Sequence, residues 1–150
     1  MSDIVIRSAL QAERSCLEGL QWRASLANSG DRDSLLANPD AIALPVGQIA
    51  DGHVFVAERD GVIVGFAAIL PRPDGNAELD ALFVEPSLWK RGVGRLLVEH
   101  CADAARGRAS RILHVVGNPH AKGFYAACGF RTTGTVETRF GAGLAMQRKL

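Results

Sequence analysis

Two β-rich runs, His53 to Arg59 (HVFVAER) and Val62 to Leu70 (VIVGFAAIL), are separated only by Asp60 and Gly61. Asp-Gly between such runs marks a two-residue hairpin, because that turn requires positive φ at both of its central residues. The spacing therefore predicts an antiparallel strand pair. Pro71 to Gly75 supplies a second turn, and Ala77 to Val84 (AELDALFV) follows as a third strand of the same meander. Its alternation predicts Leu79, Ala81 and Phe83 on one face and Glu78, Asp80 and Leu82 on the other. Glu85 and Pro86 stop it.

Around this meander the pattern switches between periods. Ile4 to Ile6 reads as a short first strand, with Ser8 placed to cap a helix over Ala9 to Ala27 that ends at Asn28 to Gly30. Residues 31–50 hold no sustained period; short helical pieces around Leu35 and Leu36 among turn signals predict a loop-rich connection. Helical spacing returns at Gly92, where Val93, Leu96, Leu97, His100, Cys101 and Ala104 form a stripe that ends near Gly107. Arg111 to Val116 is a strand and Ala121 to Cys128 a short helix closed by Gly129. Thr132 to Arg139 and Leu144 to Leu150 are closing strands. This order predicts a mixed α/β fold, and the length of 150 residues predicts one domain.

Composition limits the partners. Seventeen Lys+Arg balance sixteen Asp+Glu, a net charge of +1, so no global field steers the chain onto nucleic acid or an acidic membrane. No stretch approaches the roughly 18 continuous apolar residues of a membrane span. Cys16, Cys101 and Cys128 are odd in number and far apart, which predicts three buried free thiols and, with no leader segment, a cytoplasmic protein. The histidines have no metal-ligand spacing, so no metal is expected. His114 reads as an ordinary strand residue and His100 as a helix residue on the apolar stripe.

Any anion must then be held locally, and the stretch Leu82 to Leu97 (LFVEPSLWKRGVGRLL) is built for one. A strand runs through a basic loop into an amphipathic helix by way of Gly92 and Gly94. The first free N–H groups of that helix and its positive dipole end favour an anion. Lys90, Arg91 and Arg95 add positive charge, and a pyrophosphate matches the set. The chain has no G-x-x-x-x-G-K-[ST], and Leu97 replaces the third glycine of a G-x-G-x-x-G, so P-loop and dinucleotide fingerprints fail.

A second block follows the strand Arg111 to Val116: Asn118, Ala121, Phe124, Tyr125, Gly129 and Phe130 stand as N-x-x-A-x-x-F-Y-x-x-x-G-F. Together with LFVEP, the R-G-V-G loop and the helix after it, this resembles the GNAT superfamily of acyl-CoA-dependent N-acyltransferases over about half the chain. The resemblance implies a central, mostly antiparallel sheet flanked by helices and splayed where Ala77–Val84 meets Arg111–Val116, with acetyl-CoA in the opening. It implies that the backbone of Leu82, Phe83 and Val84 pairs with the pantetheine arm. Lys90, Arg91, Gly92, Val93, Gly94 and Arg95 would hold the pyrophosphate, Asn118 would lie near the pantetheine amides, and Phe124 would form a wall beside the cofactor. Trp89 stands where the family carries Gln or Arg. Its indole has one donor, which leaves more of the phosphate binding to Lys90, Arg91 and backbone N–H groups.

The implied reaction is direct attack of a primary amine on the acetyl thioester. Tyr125 matches the family's donor to the departing thiolate. Glu78 stands at the spacing of a glutamate base, with Asp80 two residues on; these carboxylates serve either as bases or as a solvated strand face. Trp22, Arg23 and residues 31–50 are candidate lining for the acceptor. A homodimer through Thr132 to Leu150 is a further implication. Two other function classes remain at this stage: a noncatalytic acyl-CoA-binding module and a nucleotide-binding protein using the basic loop.

Overall fold

The computed structural model describes residues 3–139 and 141–150. Among them, seven strands form one sheet: β1 (Val5–Ser8), β2 (Val54–Arg59), β3 (Val62–Pro71), β4 (Ala77–Val84), β5 (Ile112–Gly117), β6 (Arg131–Thr138) and β7 (Gly141–Lys149). Their spatial order is β1-β2-β3-β4-β5-β7-β6. Asp60 (φ 53°) and Gly61 (φ 79°) are both left-handed, the backbone a two-residue β2–β3 turn demands. Every neighbouring pair is antiparallel except β4 and β5, which run parallel.

Helices cover both faces. On one, α4 (Val93–Gly107) lays Val93, Leu97, Val98, Cys101, Ala102 and Ala105 against Ala57, Ala67, Ile69 and Leu79. On the other, Leu17 and Leu20 of α1 (Arg14–Ala27) pack on Val54, Val56, Phe66 and Ala68. Burying a leucine such as Leu17 contributes about 1.5–3 kcal/mol. Because β3 is covered on both sides, it is a continuous apolar run rather than an alternating one. No described helix is long and apolar enough to cross a membrane.

Four sequence expectations change. Ser8 is not the cap: Leu10 precedes a 3₁₀ turn over Gln11–Glu13, and the Leu10 N–H donates to the Glu13 carboxylate (2.8 Å), itself held by Arg7 (2.7 Å). Residues 31–50 are not mostly loop, since α2 (Ser29–Ala37) and α3 (Val46–Ala50) occupy much of the segment. Their buried apolar content is little more than Leu35 and Ile49, too little to register as a period. Cys16 is exposed, whereas Cys101 and Cys128 are buried; all three are free.

The fourth concerns β4. Ala68 faces Ala81 and Ile69 faces Leu79, so Asp80 is an extra residue, a β-bulge. Leu79 therefore packs on the α4 side while Ala81 and Phe83 join the α1 side, instead of all three sharing a face.

Arginine–carboxylate pairs tie the elements together: Arg7 with Glu13 and Glu58, Arg23 with Glu85, and Arg148 with Glu99. Their arginine partners hold Glu13, Glu85 and Glu99 below the ordinary carboxylate range. A depressed carboxylate stabilises the fold above its unfolded pKa, about 4.3, and that contribution is lost as pH falls through the folded value. Thermal unfolding followed from pH 6 to pH 3 should show a steep fall in Tm below about pH 4.3, shallower in Arg148→Met.

Candidate active site

The β4–β5 ladder lasts for Ala77–Leu79 against Leu113–Val115 and then stops. Beyond it β5 stays with β7 through Gly117, while β4 continues alone on that side to Val84. The sheet opens into a V. Glu85 donates its N–H to Val64 of β3 (2.8 Å), so by strand alternation Leu82 and Val84 turn their N–H and C=O groups into the opening, while Phe83, expected with them, turns its own to β3 opposite Phe66. The side chains of Leu82 and Val84 pack toward the α4 core and Phe83 toward Phe66.

At the end of β4 the chain turns through a 3₁₀ segment, Pro86–Leu88, into the basic loop. Lys90 (φ 63°) and Gly92 (φ 88°) are left-handed, and Gly92 is the residue from which α4 starts. A Cβ on Gly92 would meet open space, so glycine is required there by the backbone angle and not by crowding. Val93 is buried in the core and offers only its N–H. Lys90, Arg91 and Arg95 are exposed, and among the described residues no carboxylate lies in ion-pair contact with them. The Trp89 indole spends its one donor on the Val84 carbonyl (2.8 Å).

The far side of the V is formed by β5 and α5 (Lys122–Ala127). Phe124 rests on Gly94, whose added Cβ would lie 3.1 Å from the ring, so a side chain at the second loop glycine would press Phe124 outward. Tyr125 is only 8% exposed, stacked edge-on between Phe124 and Phe130. Burial pushes its phenol up to about 12, keeping it protonated at neutral pH. Gly117 makes room for it: a Cβ there would lie 3.0 Å from the Tyr125 ring and 2.6 Å from the Met146 methyl. Asn118 uses both ends of its amide, accepting from the His120 N–H (3.0 Å) and donating to Asp31 (2.7 Å).

Glu78 and Asp80 line one groove, about 240 Å³, together with Leu79, Val116, Val136 and Thr138. Burial raises the Asp80 carboxyl, against a hydrogen bond from Gln48. Glu78 lies 3.8 Å from Arg72. Strand register places His114 directly across from Glu78, a neighbour that sequence spacing does not reveal. Desolvation and then Arg72 lower the His114 imidazole, whose Nε2 is buried without a partner. Of the candidate acceptor residues, Arg23 is committed to a two-bond pair with Glu85 (2.8 and 2.9 Å), and Asp31 reaches Asn118. Among the described residues no three His, Cys, Asp or Glu side chains gather as a metal cradle.

Comparison with known proteins agrees with this geometry. The family described as Acetyltransferase (GNAT) matches residues 21–130. A peptidyl-lysine N-acetyltransferase, YjaB, of Salmonella typhimurium is 39% identical over 117 residues, covering 77% of this chain and 76% of its own. The PaiA N-acetyltransferase of Thermoplasma acidophilum, solved with coenzyme A, superposes with a TM-score of 0.77 at 17% identity over 99% of both chains. YncA of Salmonella typhimurium, solved with acetyl-CoA, gives 0.74 at 23% identity, over 99% of this chain and 95% of its own.

Gly117→Ala should force the Met146 methyl and the Tyr125 ring apart. The expected cost is about 1–3 kcal/mol, read as a lower midpoint in urea with an unchanged slope.

Proposed function

The chain belongs to the GNAT acetyltransferase family, transferring an acetyl group from acetyl-CoA to an amine, and we propose that its acceptor is a lysine side chain presented on a peptide. The observation that carries this reading is the groove beside the opening. Val116 and Val136, 43% and 39% exposed, offer apolar surface to the methylene stem of a lysine. Glu78 and Asp80 stand in the same groove to receive its ammonium. The name of the Salmonella relative, aligned over three quarters of both chains, favours the same acceptor class.

In this reading the pantetheine arm pairs with the free edge at Leu82 and Val84. The pyrophosphate sits on the N–H groups of Gly92, Val93 and Gly94 within reach of Lys90, Arg91 and Arg95, and Phe124 walls the arm. Asn118 contributes from a side chain already fixed by Asp31 and His120. A lysine amine has an ordinary pKa near 10.4 and must lose a proton before it attacks. Glu78 or Asp80 accepts that proton, and partial desolvation raises the Asp80 carboxyl above an ordinary aspartate although it keeps contact with solvent. The nitrogen then bonds to the acetyl carbon, the carbon–sulfur bond breaks, and Tyr125 gives its phenolic proton to the departing thiolate. The exposed strand β6 is, in the same proposal, where a second copy pairs.

Incubation with acetyl-CoA and lysine peptides, read by mass spectrometry for acetyl-lysine, tests the acceptor. Product on peptides above that on free small amines is expected; turnover confined to small amines overturns the peptide reading. Tight CoA binding with no turnover on any amine would instead identify a binding module. Tyr125→Phe should lower kcat by ~10²-fold or more while leaving the CoA Kd within about twofold; an unchanged kcat makes Tyr125 a packing residue only.

A further inference from the structure

We propose that Trp89 sets the affinity for the pantetheine arm by holding the Val84 carbonyl that the arm needs. The inference rests on the reading that the arm lies along the free edge of β4. On that edge Val84 turns its carbonyl into the V, and the Trp89 indole N–H already donates to it at 2.8 Å. Lys90, the next residue, is left-handed (φ 63°). An indole has one donor and no acceptor, and here that donor is spent on the strand.

An arm amide approaching Val84 therefore meets an oxygen that is already accepting, while Leu82 carries no such side-chain contact among the described hydrogen bonds. The ring is 40% exposed, so it can leave its site without opening the core. Whether the arm shares that oxygen through its second lone pair or displaces the indole, it gains less than from an uncommitted carbonyl, which is favoured about 2- to 10-fold. Trp89 thus discounts the arm and has no donor left for the phosphate subsite. Product CoA carries the same arm, and the same discount hastens its release.

The test uses Trp22→Phe, which leaves Trp89 as the single indole, titrated with CoA and with 3′-phosphoadenosine 5′-diphosphate, the same nucleotide without its arm. CoA should shift Trp89 emission to the red as the indole passes into water, and the nucleotide should not. By calorimetry on the full chain, Trp89→Phe should tighten CoA about 2- to 10-fold and leave the nucleotide unchanged. Trp89→Leu, which also lacks the donor, should move CoA in the same direction. If wild type binds CoA but both variants bind it equally or more weakly, Trp89 does not compete and the proposal fails while the edge reading stands. Equal tightening of both ligands assigns the effect to the loop and also overturns it. No CoA binding by any of these proteins overturns the edge reading and this inference together.

Discussion

Parallel neighbours β4 and β5 hold together for only three residue pairs, Ala77–Leu79 with Leu113–Val115, and the site exists because they then separate. Backbone polar groups facing the gap still need partners, since an unpaired amide away from water is costly. One solution is visible at Val84, whose carbonyl takes the Trp89 indole. The bulge at Asp80 stands at the point of parting. By shifting register by one residue it leaves Leu79 in the α4 core and passes Ala81 and Phe83 to the α1 side, while Asp80 and Glu78 both line the groove. The same local irregularity thus divides the apolar residues of β4 between the two layers of the core.

Charge is organised by proximity rather than by excess. The chain is almost neutral, and arginines 7, 23 and 148 are each matched to glutamates across the fold. Lys90, Arg91 and Arg95 differ in lying exposed around a helix start, where the peptide dipoles add to their charge. The arginines paired elsewhere contribute to architecture, leaving the loop as the place where an anion gains both charge and N–H groups.

Much of this was legible because it rests on local chemistry. Asp60-Gly61 specified its turn through backbone angles, and the stripe from Val93 specified α4. The family resemblance supplied the splayed sheet. What escaped the sequence depends on contacts distant along the chain or on a single-residue change of register. The Asp80 bulge leaves no mark on alternation, since Asp is also a solvent-facing residue. Strand β7 starts at Gly141, earlier than its apolar run, because its first residues pair with β6, and Gly143 within them stays small beside Val116, where a Cβ would lie 2.8 Å away. The roles of Asn118 and His114 depend on Asp31 and Glu78, which only the folded chain brings near.

The segment between α2 and α3 is fastened mainly by its backbone. Leu44 donates its N–H to Glu18 (2.9 Å) and accepts at its carbonyl from Arg14 (2.7 Å), two side chains one turn apart on α1. Main-chain anchors of this kind are indifferent to the side chains around them, and Leu44 itself supplies the buried plug. Two side chains add to these anchors: Asn38 donates to the Ser34 carbonyl (2.9 Å), and Asp40 lies 3.8 Å from Arg139. A designer could vary the side chains of Ala41, Ile42 and Ala43 between these fixed points while both ends of the segment stay in place.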